Sequence, residues 1–197
     1  MTTSAPPLLL ASSSRYRADL LSRLGVPFTQ CAPEVDESRL DGESAEAYVE
    51  RLARAKAHAG ATLSDTNSVC IGSDQAAILG DRIIGKPGTG KLARHQLLAA
   101  SGRRVTFLTA VAVLDAHSGA TTCDVVDYHV IFRTLTPAEI DRYVVRDKPL
   151  DCAGAFRAEG LGTTLFERME GNDPSALIGL PLIALCRRLR RLGYPLP

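Results

Sequence analysis

Apolar positions along the chain fall into short runs and helical rows that alternate over most of its length. Leu8-Leu9-Leu10-Ala11 predicts a strand that runs into the polar turn Ser12-Ser13-Ser14-Arg15-Tyr16-Arg17. Leu20, Leu21 and Leu24 then mark a helix face, closed by Gly25 and Pro27. Phe28 to Cys31 predicts a second strand. Ser44 is placed to cap a long helix to about residue 59, with Tyr48, Leu52 and Ala55 on one face and Gly60 as its stop. Residues 1–7 predict a loose terminus, and residues 61–68 a polar linker.

The next stretch organises the rest. Val69-Cys70-Ile71 climbs to Gly72-Ser73-Asp74-Gln75; Ile78-Leu79, a Gly-Asp turn, Ile83-Ile84 and Gly85-Lys86-Pro87 follow. This predicts a buried strand whose end carries a carboxylate, then a hairpin returning toward a lysine. A helix over about 91–100 comes next, then a strand over about 105–114. Beyond the His117-Ser118-Gly119 turn, Val126, Tyr128, Val130 and Phe132 alternate, which predicts an antiparallel hairpin. Thr136-Pro137-Ala138-Glu139 has the cap, first-turn proline and third-position glutamate of a capping box, opening a helix to about residue 146. A glycine-rich connector covers 152–162, Leu165-Phe166 suggests a short strand, and Asp173-Pro174 a turn. Pro181 opens a last helix with Leu182, Leu185, Leu189 and Leu192 inward and the basic group 187–191 outward, solvated. The layout is α/β, a mixed sheet with helices on both sides, or α+β in part, because a long hairpin interrupts the βα alternation.

Composition narrows the function classes. A formal charge of +1 on 197 residues gives no strong field for nucleic acid or a membrane surface, although basic residues group over 15–23 and 187–191. The apolar runs are far shorter than a membrane span, and no secretory signal is evident at the amino terminus. The length suits one domain, with room for two lobes. Five widely spaced cysteines without a C-x-x-C pair suggest reduced, buried thiols in a cytoplasmic protein, and four histidines show no metal-ligand spacing.

Three places carry candidate chemistry. The turn after the first strand sets three hydroxyls and two guanidiniums at a helix N-terminus, where backbone N–H groups and the helix dipole favour an anion. The other reading is an ordinary serine cap with arginines in water. Arginines in a first turn oppose the dipole, and an anion would neutralise them. Glu34, Asp36 and Glu37 form a carboxylate cluster that is either a solvated loop or a source of hard oxygen ligands for magnesium. Asp74 is either a turn cap or a rigidly held catalytic carboxylate, and Lys86 and Lys56 are solvated or phosphate-binding. Neither the Walker phosphate loop nor G-x-G-x-x-G is present.

Seven blocks taken in order carry a family resemblance. They are Leu-Ala-Ser-Ser-Ser-x-x-Arg (10–17), Pro-Glu-Val-Asp-Glu (33–37), Leu-Ala-x-x-Lys-Ala (52–57), Gly-Ser-Asp-Gln (72–75), Gly-Lys-Pro (85–87), Ala-Gly-x-Phe-x-x-Glu-Gly-x-Gly (153–162) and Gly-Leu-Pro-Leu (179–182). Together they resemble the Maf family of nucleoside triphosphate pyrophosphatases, from residue 8 to residue 192. Gln75 with the Phe156/Glu159 block is similar to the branch that hydrolyses 7-methyl-GTP, as opposed to the dTTP/UTP branch.

The resemblance implies a fold of the Maf/inosine-triphosphatase kind, with an elongated mixed sheet, two lobes and a central cleft. It implies cleavage between the α- and β-phosphates, a divalent cation (Mg²⁺ or Mn²⁺), a cytoplasmic location and a homodimer. Asp74 matches the family's catalytic carboxylate; Ser12, Arg17, Glu37, Lys56 and Lys86 match positions lining the phosphate and metal site, with Glu37 and Asp74 as the metal's oxygen ligands. Tyr16, Gln75 and Glu159 match the positions that sort substrates by base. Two departures stand out: Arg15 where the family usually has proline, and Tyr16 where the 7-methyl-GTP branch usually has tryptophan, a stronger cation–π partner. Two other functions stay open: a pyrophosphatase of the dTTP/UTP kind, and a nucleotide-binding regulator tied to cell division in which hydrolysis is vestigial.

Overall fold

The computed structural model describes residues 5–64 and 67–197. Parts of two expected loops, residues 1–4 of the amino-terminal segment and 65–66 of the linker, lie outside the described residues. The elements in order are β1 (Leu8–Ala11), α1 (Arg15–Ser22), β2 (Phe28–Cys31), α2 (Ala45–Thr62), β3 (Val69–Leu79), β4 (Arg82–Ile84) and α3 (Gly90–Ala100). β5 (Arg104–Asp115), β6 (Thr121–Phe132), α4 (Pro137–Asp147), β7 (Phe166–Gly171), α5 (Pro174–Ile178) and α6 (Leu182–Arg191) complete the chain, with two short 3₁₀ turns between α4 and β7. The sheet has seven strands in the order β2-β1-β3-β5-β6-β7, with β4 paired to β3. It is mixed: β1 runs parallel to both β2 and β3, whereas β3–β4 and β6–β7 are antiparallel. The expected α/β class, a mixed sheet flanked by helices, is therefore observed.

The chain packs as two compact units, and β3, β5 and β6 give residues to both. The first comprises the chain up to Gln75 with Thr109–Val126 and Gly179–Pro197. Its core is aliphatic: Leu10, Leu20, Leu21, Leu52, Ile71, Leu180, Leu185 and Leu189 are fully buried. The second comprises Ala76–Leu108 and Asp127–Ile178. Its core centres on Phe107, Phe132, Phe156 and Phe166, whose rings meet edge to face at 4.8–5.5 Å, the arrangement that aromatic quadrupoles favour.

Several local expectations change. Gly60 does not stop α2 but lies inside it, buried, where a Cβ would stand 2.6 Å from the Cβ of Ala11. That glycine is a packing residue, and the helix runs to Thr62. The buried row of α2 is Val49, Leu52, Ala53, Lys56, Ala57 and Gly60, rotated from the row anchored on Tyr48 and Ala55. Asp74 is not at a strand end: Ile78-Leu79 continues the same strand, so Asp74 lies in the middle of β3. The basic group on α6 is not wholly solvated, because Arg188 clasps Asp124 of β6 with two hydrogen bonds of 2.7 and 2.8 Å. All five cysteines are free, but only Cys70 is buried and the other four are half-buried.

Candidate functional site

β1 and β3 are parallel with Ala11 opposite Gly72. The turn that leaves β1 therefore begins beside Ser73 and Asp74. This register brings a serine-rich turn from residue 12 next to a carboxylate sixty residues on, at the carboxyl end of β1, where α/β sheets open to ligands. Ser14 caps α1 by accepting from the backbone N–H of Arg17. Ser12 is buried, and its Oγ accepts from the Ser14 N–H at 3.2 Å and from Arg17 Nη1 at 3.3 Å. Arg17 also donates from Nε to the Gly179 carbonyl at 2.9 Å.

Side chains alternate along β3, so Gly72 and Asp74 face α2 while Ser73 and Gln75 face away. A Cβ on Gly72 would lie 2.1 Å from the Ala53 carbonyl oxygen and 2.5 Å from the Ala57 nitrogen. Only glycine lets α2 approach this closely, and the approach lowers Lys56 onto Asp74. Lys56 Nζ stands 2.6 Å from Asp74 Oδ1 and 2.6 Å from Glu37 Oε1. Lys56 and Asp74 are both buried, while the Glu37 side chain is 59% exposed. Of the two readings of Lys56, the solvated one is excluded; the lysine lies on the inner face of α2, where its charge is matched by two carboxylates.

Glu37 is held from behind. Tyr48 donates its hydroxyl to the Glu37 carbonyl at 2.9 Å, and Arg51 grips Glu43 through two hydrogen bonds and the Ser38 carbonyl through a third. Arg51 holds the Glu43 carboxyl at about 2, well below its ordinary value. Tyr48 and Arg51 carry no motif, and sequence reading passed over them as positioning residues. Their helical spacing from Ser44 is the one signal they leave. Burial raises the Tyr48 hydroxyl's pKa, and Asp74 and Glu37 add to the rise. Burial lowers the pKa of Arg17, while those same two carboxylates oppose the fall.

The first unit thus gathers Ser12, Arg17, Glu37, Lys56 and Asp74: two cations, two carboxylates and a hydroxyl. Among the described residues there is no group of three or more His, Cys, Asp or Glu arranged to hold a metal. Glu37 Oε1 and Asp74 Oδ1 both meet the Lys56 ammonium, so a magnesium ion would draw on their remaining oxygens, with exposed Glu37 leaving room for the several waters that magnesium keeps.

The base-sorting candidates are placed differently. Tyr16 is half-buried on α1; the Arg15 guanidinium lies 4.9 Å from its ring centre and donates to its hydroxyl at 3.1 Å. Gln75 is half-buried and its Nε2 donates to the buried Thr109 hydroxyl at 2.9 Å. Lys86 and Glu159 belong to the second unit, and both are exposed. The Lys86 loop is tied down by Gln96, which donates to the Gly85 carbonyl, and by Gly88, which donates to that of Leu150.

A mixed α/β sheet that presents a guanidinium, a lysine and two carboxylates beside the end of its first strand defines an anion-handling α/β protein. The chain belongs to the family described as Maf-like protein, whose pattern matches residues 7–192. It is 56% identical over 191 residues to a 7-methyl-GTP pyrophosphatase of Alkalilimnicola ehrlichii, covering 97% of this chain and 96% of that one. Proteins of the same name from Pseudomonas fluorescens (54%, covering 97% and 99%) and Alcanivorax borkumensis (50%, covering 100% of both) are similarly close. No helix among the described residues is long and apolar enough to cross a membrane.

Proposed function

We propose that the protein is a nucleoside triphosphate pyrophosphatase that cleaves between the α- and β-phosphates, with 7-methyl-GTP as its substrate and 7-methyl-GMP and pyrophosphate as products. The observation that carries this reading is the buried Lys56–Asp74 pair beside the Arg17 turn. Relatives named for this activity, aligned over nearly the whole chain, support the choice of substrate.

Each residue has a role its chemistry fits. Arg17 and Lys56 offset phosphate charge, Arg17 by its planar fork and Lys56 as a point charge. Ser12 acts by holding Arg17. Asp74 is the catalytic carboxylate, positioned by β3 to accept a proton from the attacking water. Glu37 and Asp74 would hold a divalent cation, Mg²⁺ or Mn²⁺; when bound, it supplies Lewis-acid stabilisation of phosphate charge. Lys86 and Glu159 are assigned by residue type and motif: Lys86 as a further phosphate cation, Glu159 as an acceptor for the paired N–H donors on guanine's Watson–Crick edge. Tyr16 and Gln75 complete the base-sorting set, with Tyr16 offering a ring to the cationic methylated base. We read residues 1–197 as one Maf-type domain acting as a cytoplasmic homodimer on a small nucleotide, without nucleic acid or membrane partners. Five free thiols suit a reducing compartment.

The test is pyrophosphate release from a panel of 7-methyl-GTP, GTP, dTTP, UTP and ATP, with and without Mg²⁺. The reading expects Mg²⁺-dependent release with 7-methyl-GTP preferred. A preference for dTTP and UTP would move the protein to the other branch, and binding without release would make it a nucleotide-binding regulator.

A further inference from the structure

The Gly179-Leu180-Pro181 segment meets both Arg17 and the strand that carries Asp74. The Gly179 carbonyl oxygen accepts from Arg17 Nε at 2.9 Å and from Ser73 Oγ at 2.9 Å. A carbonyl oxygen has two lone pairs, so both are engaged. Ser73 is fully buried, on the opposite face of β3 from its neighbour Asp74. Gly179 has a φ of +124°, a backbone conformation that side-chain-bearing residues rarely adopt. Leu180 next to it is fully buried in the first unit's core, and Pro181 caps α6. The acceptor is therefore anchored by packing on one side and by β3 on the other.

We infer that Gly179 and Ser73 are positioning residues for Arg17: they fix the guanidinium plane so that its free edge meets the phosphate chain of the substrate. A guanidinium has five N–H bonds. The Nε–H goes to Gly179 and one Nη1–H to Ser12. No bond from Nη2 is found among the described residues, which leaves its two hydrogens and the second on Nη1 as a ready fork for an anionic oxygen pair. Without the carbonyl anchor, the side chain recovers rotamer freedom that substrate binding must then remove, at a cost of about 0.5–1.5 kcal/mol for such a side chain. Ser73 also joins this anchor to the strand that carries Asp74, so the binding and reacting groups share one support. The inference rests on the pyrophosphatase reading for its substrate, but its geometry needs only a polyphosphate.

The experiment is a double-mutant cycle between Ser73→Ala and Arg17→Ala, read by calorimetric binding of inorganic tripolyphosphate and by KM and kcat for 7-methyl-GTP. Ser73→Ala is expected to weaken tripolyphosphate binding and raise KM by roughly two- to tenfold, the range set by that rotamer cost, with kcat nearly unchanged. In the Arg17→Ala background the same substitution is expected to change neither. An effect of equal size in both backgrounds means that Ser73 is merely structural and overturns the inference, as does no effect in either. Should Ser73→Ala not fold, Arg17→Lys decides: an ammonium cannot hold Gly179 and present a fork, so its affinity should fall as far as that of Arg17→Ala, and wild-type affinity would overturn the inference. Wild-type protein that binds tripolyphosphate but hydrolyses no nucleotide refutes the proposed function while leaving the cycle readable. Wild-type protein that binds no tripolyphosphate refutes the positioning inference itself.

Discussion

Lys56 Nζ lies 2.6 Å from Asp74 Oδ1, both side chains are about nine-tenths buried, and a glycine two residues before the aspartate makes the contact possible. The ion pair joins a helix to the strand beneath it and sets a carboxylate within a unit that also holds Arg17 and Glu37. Removing one partner of a buried pair leaves a charge uncompensated, which generally costs several kcal/mol. Here Glu37 remains as a second, exposed partner for the lysine and moderates that cost.

Gly72→Ala tests how the pair is built. The new Cβ meets backbone atoms of Ala53 and Ala57, which cannot rotate aside, so α2 must lift from β3. Overpacking of this kind costs about 1–3 kcal/mol, or roughly 2–12 °C in Tm for a chain of this size. Thermal unfolding should show that loss, and turnover should fall more steeply than stability because Lys56 moves away from Asp74. A variant with unchanged Tm and rate would mean that the close approach is not needed.

Arg15→Ala tests whether Tyr16 reads the base. The Arg15 guanidinium already lies against that ring, so a cationic 7-methylguanine must compete with it. An exposed cation–π contact is worth about 0.5–1 kcal/mol, so freeing the ring should lower KM for 7-methyl-GTP by roughly two- to fivefold relative to GTP. A KM that rises equally for both nucleotides would instead make Arg15 a phosphate contact.

Glu159→Gln probes recognition of the guanine edge. Replacing an acceptor-only carboxylate by an amide turns one acceptor into a donor facing donors. Selectivity for guanine-type bases over pyrimidines should fall by about tenfold or more, as for loss of a hydrogen bond to a charged group. An unchanged ranking of kcat/KM across the nucleotide panel would remove Glu159 from base recognition.

The acid limb of stability has a named contributor in α4. Glu139 accepts from the Thr136 N–H and hydroxyl and pairs with Arg133, which together hold its carboxyl at about 2 against an ordinary 4.5. Because the folded value is the lower one, this stabilisation is fully present above pH 4.5 and is lost as pH falls through about 2. In Glu139→Gln, Tm should be lower at neutral pH and should fall less than that of wild type between pH 4.5 and 2. Parallel Tm curves for the two proteins would contradict the linkage.

Much of the fold was legible because local chemistry determined it. The apolar run of β1 and the capping box of α4 need no tertiary information, and the structure places them where the residues predict. The ordered motifs singled out Arg17, Glu37, Lys56 and Asp74, but periodicity did not. Lys56 reads as a surface lysine unless Asp74 is known to lie beneath it, since spacing cannot report a partner eighteen residues away. The same holds for Gly60, which resembles a stop signal and is a packing contact with a strand fifty residues earlier. Asp74 was misplaced at a strand end because Gly72-Ser73 resembles a turn. In β3 the glycine makes room for a helix, and the serine bonds to Gly179.

The most direct test of the account is Asp74→Asn, assayed for pyrophosphate release from 7-methyl-GTP with Mg²⁺, alongside tripolyphosphate binding and Tm. Asparagine keeps the shape but accepts no proton, so kcat should drop by about 10²–10⁴, the usual contribution of a positioned general base. Tripolyphosphate should still bind and the unfolding transition should remain cooperative. A variant that releases pyrophosphate at near wild-type rates would contradict the assignment of Asp74 as the catalytic carboxylate, and with it the site built around the Lys56 pair.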